Sequence, residues 1–514
     1  MKKKFSLMIS AALIVSLMAG CSSKNTTDSS SAAPTASEAG NTETKANEPM
    51  VTLKYVVPGT EPKSYKETIA EVNKKLIADG LNVQVEQQYI DWGAWEQKIN
   101  IMLSTHEDFD MFQVMNDFIS LSNYIGRGAL QDITKSMDEF GTDIKKVIPN
   151  DVFSAVKKDG KLYGIPSNWY EPAQDTGFTT NDLLFKKYNI SSDFKTPQEL
   201  LDASVKLYNA APAPKPIFPS NFSSAASDVL NRTFDSFPFD VRDSVAMINK
   251  DGKVSNWIES DEFKQEAAFW HEAYTKKLMN PDILVMTGDA KNKAIKDGNW
   301  PFSAGTYGAG YETFKASFPD ATKDSLSYRK FNPEKGNYRF VNAKNVNVVT
   351  AQSKHPEAAV KFLNWLYTNQ ENYDLFLYGV DGKSYKKVGD KGIEMIIDPA
   401  TKSPLSLNVD WMVGNVNFIR QDSGAMTSDL SIFKVIPDAK SFISSGFFFD
   451  STPVKGEMAN VKAAIASDII PIFSGVVSYD SHIKVAADKL KSAGIDKVLA
   501  EYQKQMDAYM ASAK

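Results

Sequence analysis

The hydrophobic pattern of the chain falls into three stretches. Lys2, Lys3 and Lys4 precede a largely apolar run from Phe5 to Met18, which stops at Ala19-Gly20-Cys21. That run is too short, and too closely followed by small residues, for a good membrane-spanning helix, so residues 1–20 are expected to be a cleaved export signal. Cys21 is the only cysteine in the chain and is expected to carry lipid; Met18 stands three places before it, where leucine is usual. From Ser22 to Pro49 there is no aromatic or branched aliphatic residue, so residues 21–49 read as a lipidated cysteine and a disordered tether. A flexible coil of that length spans roughly 30 Å.

From Met50 the pattern becomes that of a folded body. Val51-Thr52-Leu53-Lys54-Tyr55-Val56-Val57 alternates and meets Pro58-Gly59, a strand and a turn; Tyr65, Ile69, Val72, Leu76 and Ile77 then keep helical spacing up to Gly80, and Leu81–Val85 alternates again. This is a β-α-β unit. Ile99, Met102 and Leu103 mark a second helix over Glu96–Ser104, and Phe109–Met115 is a third strand. Thr196-Pro197 and His355-Pro356 open further helices, the latter carried by Ala359, Phe362, Leu363 and Leu366. After Gly494, Ile495, Val498, Leu499, Tyr502, Met506 and Tyr509 hold helical spacing towards the terminus. Strands interleaved with helices over such a length predict an α/β architecture in two lobes, because one hydrophobic core seldom grows so large.

Composition narrows the class. The 514 residues are 42% hydrophobic and 11% aromatic, ample for packed cores without cross-links. Removing residues 1–20 takes away three lysines and no acids, which leaves 55 Lys+Arg against 63 Asp+Glu, a formal charge of −8. Nucleic acid is therefore not an expected partner, and membrane contact should rest on the lipid and not on charge.

Catalytic constellations are missing from the pattern. His106, His271, His355 and His482 stand alone, with no metal-pair spacing and no cysteine to help. No G-x-S-x-G elbow occurs, and Gly382-Lys383-Ser384 lacks the earlier glycine of a phosphate loop, since Leu377 stands there. No cofactor is expected. Gly305–Tyr311 joins a strand at Trp300-Pro301-Phe302 to a helix near Glu312 and reads as a tight crossover, a stacking surface or an anion site. Trp92, Trp95, Trp169, Trp300 and Trp411 lie at or beside turns, whereas Trp257, Trp270 and Trp365 fall in helical runs and belong to the core. An indole face can lie against the C–H face of a pyranose while neighbouring amides and carboxylates bind its hydroxyls, so at least two of the turn tryptophans are expected in a ligand cleft.

Several segments, in order, carry a resemblance. Asp159–Pro166 followed by Thr176–Leu184, Lys296–Phe302, Ser353–Ala359, Tyr378–Tyr385 and Ala493–Val498 are similar to family 1 extracellular solute-binding proteins of ABC importers, and in particular to the LipO-like lipoproteins of Gram-positive bacteria. The resemblance implies an α/β, two-lobed, periplasmic-binding-protein-like (type II) fold with an interlobe cleft and a helical carboxyl-terminal extension. It places the first crossing near 159–184 and the second near 296–305, so that residues 50–171 and 306–368 would form one lobe and 172–305 and 369–514 the other. It also implies ligand contacts at Thr60 and Glu61, at Asn116 and Asp117, at Trp169 and Tyr170, and at Tyr307. Trp92, Trp411, Phe449 and Asp450 are added from composition and placement.

The expected function is a lipid-anchored, monomeric binding protein outside the cell that captures an oligosaccharide or related carbohydrate and delivers it to the permease subunits of an ABC transporter. A secreted carbohydrate-active enzyme and a surface adhesin or sensory co-receptor are the competing readings. Six arginines among 58 Lys+Arg fit an uncharged ligand, because bidentate carboxylate recognition recruits arginine.

Overall fold

The computed structural model describes residues 49–116, 119–169, 177–220, 227–401, 403–406, 409–431, 433 and 439–512. The export signal, Cys21, the tether, Asp117 and Tyr170 lie outside the described residues. Within them the expected β-α-β unit forms: strand Val51–Pro58 buries Leu53, Tyr55, Val56 and Val57, helix Tyr65–Ala78 buries Val72 and Leu76, and strand Val83–Ile90 pairs parallel to the first. Ile77, assigned to the same apolar face, is 42% exposed. Strand Met111–Met115 pairs parallel on the other side of Val51–Pro58. Beyond it, Asn345–Val349 runs antiparallel, and the short strand Ile165–Pro166 closes the five-stranded sheet.

Helices cover that sheet. Trp95–Ser104 buries Trp95, Ile99 and Met102, so Trp95 is a core residue and not a displayed one: its spacing of four and then three to Ile99 and Met102 puts it on the inner face. Helix Pro356–Thr368, with proline in its first turn, buries Phe362, Leu363, Trp365 and Leu366 in the same core.

A second core is built around antiparallel pairs. Strand Phe178–Asn181 lies between Phe302–Ala304 and Leu326–Arg329, and Ala246–Asn249 lies between Phe239–Arg242 and Val254–Asn256. Thr196 and Glu199 make a reciprocal capping box on helix Pro197–Ala210. Trp257 and Trp270 are buried here as expected, together with Tyr502 and Met506 of the last helix, Ile495–Ser512, which follows Gly494 at φ 98°. A small third cluster gathers Trp300, Tyr307, Phe314, Leu326 and Met426.

Among the described residues the buried core members mark three passages between the cores. The chain leaves the first after Ile165 for Phe178, returns between Phe331 and Ala343, and leaves again between Ile419 and Met426. The sequence expects the return to the first lobe near 296–305, but Phe302 is still in the second core, and Leu326–Arg329 pairs with Phe178–Asn181, which keeps residues 306–331 out of the first lobe. Residues 369–419 likewise belong with the first core, because Tyr373, Leu377, Met412 and Ile419 are buried in it.

A buried ion pair fixes that last segment. Arg420 Nη2 lies 2.7 Å from Asp374 Oδ2, with side chains 7% and 3% exposed, and Arg420 Nε donates to Asp374 Oδ1 at 2.8 Å. Beside it, Tyr373 and Tyr378 donate to Asp410 Oδ1 at 2.6 and 2.8 Å, and burial pushes both phenols far above their usual range. Removing one partner of such a pair leaves a charge uncompensated in the core. Arg420→Met is expected to lose about 3–5 kcal/mol of stability in urea unfolding; a loss below about 1 kcal/mol would mean that the pair is solvated.

Candidate functional site: the carboxyl edge of the sheet and the interlobe cavity

Strand direction decides which residues meet. Val51–Pro58, Val83–Ile90 and Met111–Met115 are parallel, so the residues that follow them emerge at one edge. Ile165–Pro166, antiparallel to Asn345–Val349, runs in the same sense as Met111–Met115 and sends Ser167, Asn168 and Trp169 to that edge; Ser167 N–H donates to the Asn345 carbonyl at 2.9 Å. Thr60, Glu61, Trp92, Asn116 and Trp169 are thus gathered along the carboxyl edge, where open α/β sheets bind ligands.

The indoles there are set by the backbone beneath them. Gly59, at φ 115°, carries the turn beside Trp92, and Trp92 opens a single 3-10 turn before the helix, 48% exposed. Thr60 and Glu61 are exposed, and the Thr60 hydroxyl donates to Asp91 Oδ1 at 3.2 Å. Trp411 arrives on the short helix Asp410–Val413, held to the sheet by Asn168 N–H on the Gly414 carbonyl and Asn347 Nδ2 on the Met412 carbonyl, both at 2.9 Å. Its ring centroid is 5.6 Å from that of Trp92 at 42°. Trp169 packs on Gly414, where a Cβ would come within 2.6 Å of the tryptophan's own Cβ, and its buried indole N–H has no acceptor among the described residues.

Next to this edge a cavity of about 700 Å³ opens between the lobes. The first lobe supplies Glu96, Asn116, Ser120 and Asn123, the second Asp240, Arg242, Asp243 and Ser244, with Lys344 and Phe447–Phe449 between them. Asn116 is a brace: Nδ2 donates to the Ala343 carbonyl and Oδ1 accepts from Leu121 N–H, each at 2.6 Å. Arg242 is another, since Nη2 donates to the Phe340 and Ser444 carbonyls at 3.0 Å each. Asp243 and Ser244 have φ of 51° and 60° in the hairpin turn that projects into the cavity. Phe449 stacks on Tyr502 at 3.5 Å and 11°. Asp450 does not line the cavity; its Oδ1 accepts from Thr452 N–H at 3.0 Å and its backbone is clamped by Gln505.

The chemistry offered is recognition. Amides and a carboxylate from the first lobe, facing carboxylates, cations and aromatic planes from the second, surround a space large enough for a small oligomeric solute. Among the described residues no group of three or more His, Cys, Asp or Glu is placed to hold a metal ion, and no helix is long and apolar enough to cross a membrane.

The sequence model of the family described as bacterial extracellular solute-binding protein matches residues 67–382. The chain belongs to that family. Its members are binding proteins and not enzymes. A carbohydrate ABC transporter substrate-binding protein of Streptococcus pneumoniae serotype 4 is 25% identical over 478 residues, 90% of this chain and 91% of its own. The crystal structure of the N-glycan transport solute binding protein NgtS from Streptococcus pneumoniae superposes with a TM-score of 0.74 at 22% identity, over 91% of this chain and all of that one. The Streptococcus pneumoniae ABC-transporter substrate binding protein FusA in complex with kestose gives 0.62 at 17%, over 90% of this chain and all of that one. These likenesses establish the two-lobed family fold. A second model, described only as a domain of unknown function (DUF3502), matches residues 443–511.

Two sequence-based site expectations fall away. Tyr307 is 4% exposed, its hydroxyl donates to the Lys296 carbonyl at 3.0 Å and its ring meets Phe314 edge-on; Trp300 is fully buried, with its indole N–H on the Ile295 carbonyl. The glycine-rich loop does bind an anion, but the chain's own: Asp429 Oδ1 accepts from the N–H groups of Tyr307 and Gly308 at 2.8 and 3.1 Å. The wall residues Arg242, Asp240 and Asn123 were not singled out from sequence, although Asp243-Ser244 between two alternating runs is a hairpin signal that pointed to the turn.

Burial pushes the Asp429 carboxyl up to about 6, against about 4 in an unfolded chain. As pH falls through about 6 towards about 4, the folded chain gains a proton that the unfolded chain does not, so stability rises in that window. Urea midpoints of the protein and of Asp429→Asn, compared at about pH 7 and about pH 4.5, should diverge in favour of the protein at the lower pH. Parallel midpoints would show a solvated carboxyl.

Proposed function

We propose that this is a lipid-anchored extracellular substrate-binding protein that captures an oligosaccharide or related carbohydrate and delivers it to an ABC permease. The observation that carries the reading is an interlobe cavity whose polar groups come from both lobes, with Asn116 shared between that cavity and the sheet edge that displays Trp92 beside Trp411. Indole faces take the C–H faces of a sugar ring, and the amides, carboxylates and Arg242 meet its hydroxyls. Closure of the lobes brings both sets together, and the ligand shifts that equilibrium by no more than its preference for the closed form. The names of the relatives support a glycan in this site: one is a carbohydrate transporter component, and the NgtS protein has been crystallised with Man1GlcNAc.

Cys21 supplies the anchor in this reading and the tether holds the body clear of the membrane. Two acyl chains at that residue give stable attachment without a basic surface. The LipO-like subgroup is proposed from the carboxyl-terminal sequence, and a monomer from the interlobe site being complete within one chain.

Calorimetry and tryptophan fluorescence across neutral saccharides are expected to show binding, with Trp92→Ala weakening it about tenfold or more. Silence toward every saccharide, together with binding of a peptide or another solute, would discard the sugar assignment. New reducing ends during incubation would favour the enzyme reading. In cells, Cys21→Ala is expected to release the protein into the medium; retention at the membrane would remove the lipid anchor from the proposal.

A further inference from the structure

Residues 443–511, the stretch matched as a domain of unknown function, supply eleven of the 25 described residues around the interlobe cavity. Their contribution is one-sided in chemistry. Met458, Ile465, Ile469, Ile470 and Phe473 all come from one continuous helical run, Lys455–Phe473, and all face the cavity. Ordinary α-helical spacing would bring Ile465 and Ile469 to one face and turn Ile470 away. Here Ile465–Ile469 is a turn of π-helix, which holds an extra residue and brings Ile470 back to the wall. Pro471 accounts for the bulge: it has no N–H for the Ser467 carbonyl, and its ring would press on that carbonyl in a regular turn.

From Ile465 to Phe473 the residues that line the cavity form a strip with no hydrogen-bonding side chain, while Lys462, one turn earlier on the same helix, and Ser451 stand at the cavity beside them. A pyranose hydroxyl turned to the strip gives up its water and gains no partner. A methyl group gains there, and a substituent with both a methyl and an adjacent amide satisfies strip and rim together. We propose that residues 443–511 form the selectivity wall of the cavity, in which the bulged helix receives the methyl of an acetamido substituent on the bound glycan. The inference rests on the carbohydrate reading above and adds to it the substituent and the segment that selects it.

Matched neutral sugars that differ only in acetamido for hydroxyl test this, for example cellobiose against N,N′-diacetylchitobiose and lactose against N-acetyllactosamine. Calorimetry on the full folded domain is expected to show the acetamido member of at least one pair bound about tenfold tighter. In Ile470→Ser, and separately in Ile465→Ser, the ratio is expected to fall to about twofold or less while the hydroxyl sugar keeps its affinity, which also shows that the variant is folded. Equal binding of both members of every pair, or a preference that survives both substitutions, overturns the selectivity wall and leaves the carbohydrate reading standing. Binding of no saccharide at all overturns the carbohydrate reading, and this inference with it.

Discussion

The site depends on a buried amide in the strand that returns to the first lobe. Asn347 sits in the middle of Asn345–Val349, 2% exposed. The Tyr55 hydroxyl donates to its Oδ1 at 2.5 Å and lies 3.1 Å from Gln113 Oε1, while Asn347 Nδ2 donates to the Met412 carbonyl at 2.9 Å. A polar group at that depth costs stability unless it is paired. Its pairing holds together the first strand, the third strand and the short helix that carries Trp411. Burial raises the Tyr55 phenol far above its usual range, so this donor stays neutral and keeps its proton at any physiological pH. The position of the short helix that carries Trp411 is therefore set from inside the core.

Local patterning made the first lobe readable and left the partition of the chain obscure, for a physical reason. Alternation and helical spacing report burial of a face, and Val51–Pro58, Tyr65–Ala78 and Val83–Ile90 form where that spacing places them. Lobe membership is a matter of long-range pairing. Leu326–Arg329 lies with Phe178–Asn181, and no local signal records a partner so distant in the chain. Among the tryptophans the same distinction decides. Trp95 sits in phase with Ile99 and Met102, so its burial was legible from spacing; Trp300 is buried by Tyr307 and Phe314, which fold over it from the glycine-rich loop and the next helix. Trp92 precedes the first full turn of its helix, out of reach of the core, and remains on display. The braces Asn116 and Arg242 serve carbonyls that no motif advertises.

The two walls of the cavity are fastened in different ways, and this bears on how closure can be read out. The carboxyl edge of the first lobe is continuous with a five-stranded sheet, so its loops move with a rigid body. The second-lobe wall is a composite of the Asp240–Ser244 hairpin and the 443–473 segment, joined where the Ser444 hydroxyl donates to Asp240 Oδ2 at 2.7 Å and where Arg242 spans the Phe340 and Ser444 carbonyls. Phe340 belongs to the return passage and Ser444 to the second-lobe wall, so Arg242 ties the return passage and that wall to one strand of the second lobe. A ligand that draws the hairpin towards Asn116 therefore pulls on the return passage as well. Rotation of the second lobe as a unit, including its carboxyl-terminal helices, is the motion this bonding permits, because bending within the lobe would have to break charge-assisted bonds of the Arg242 cluster, each worth about 1.5–3 kcal/mol.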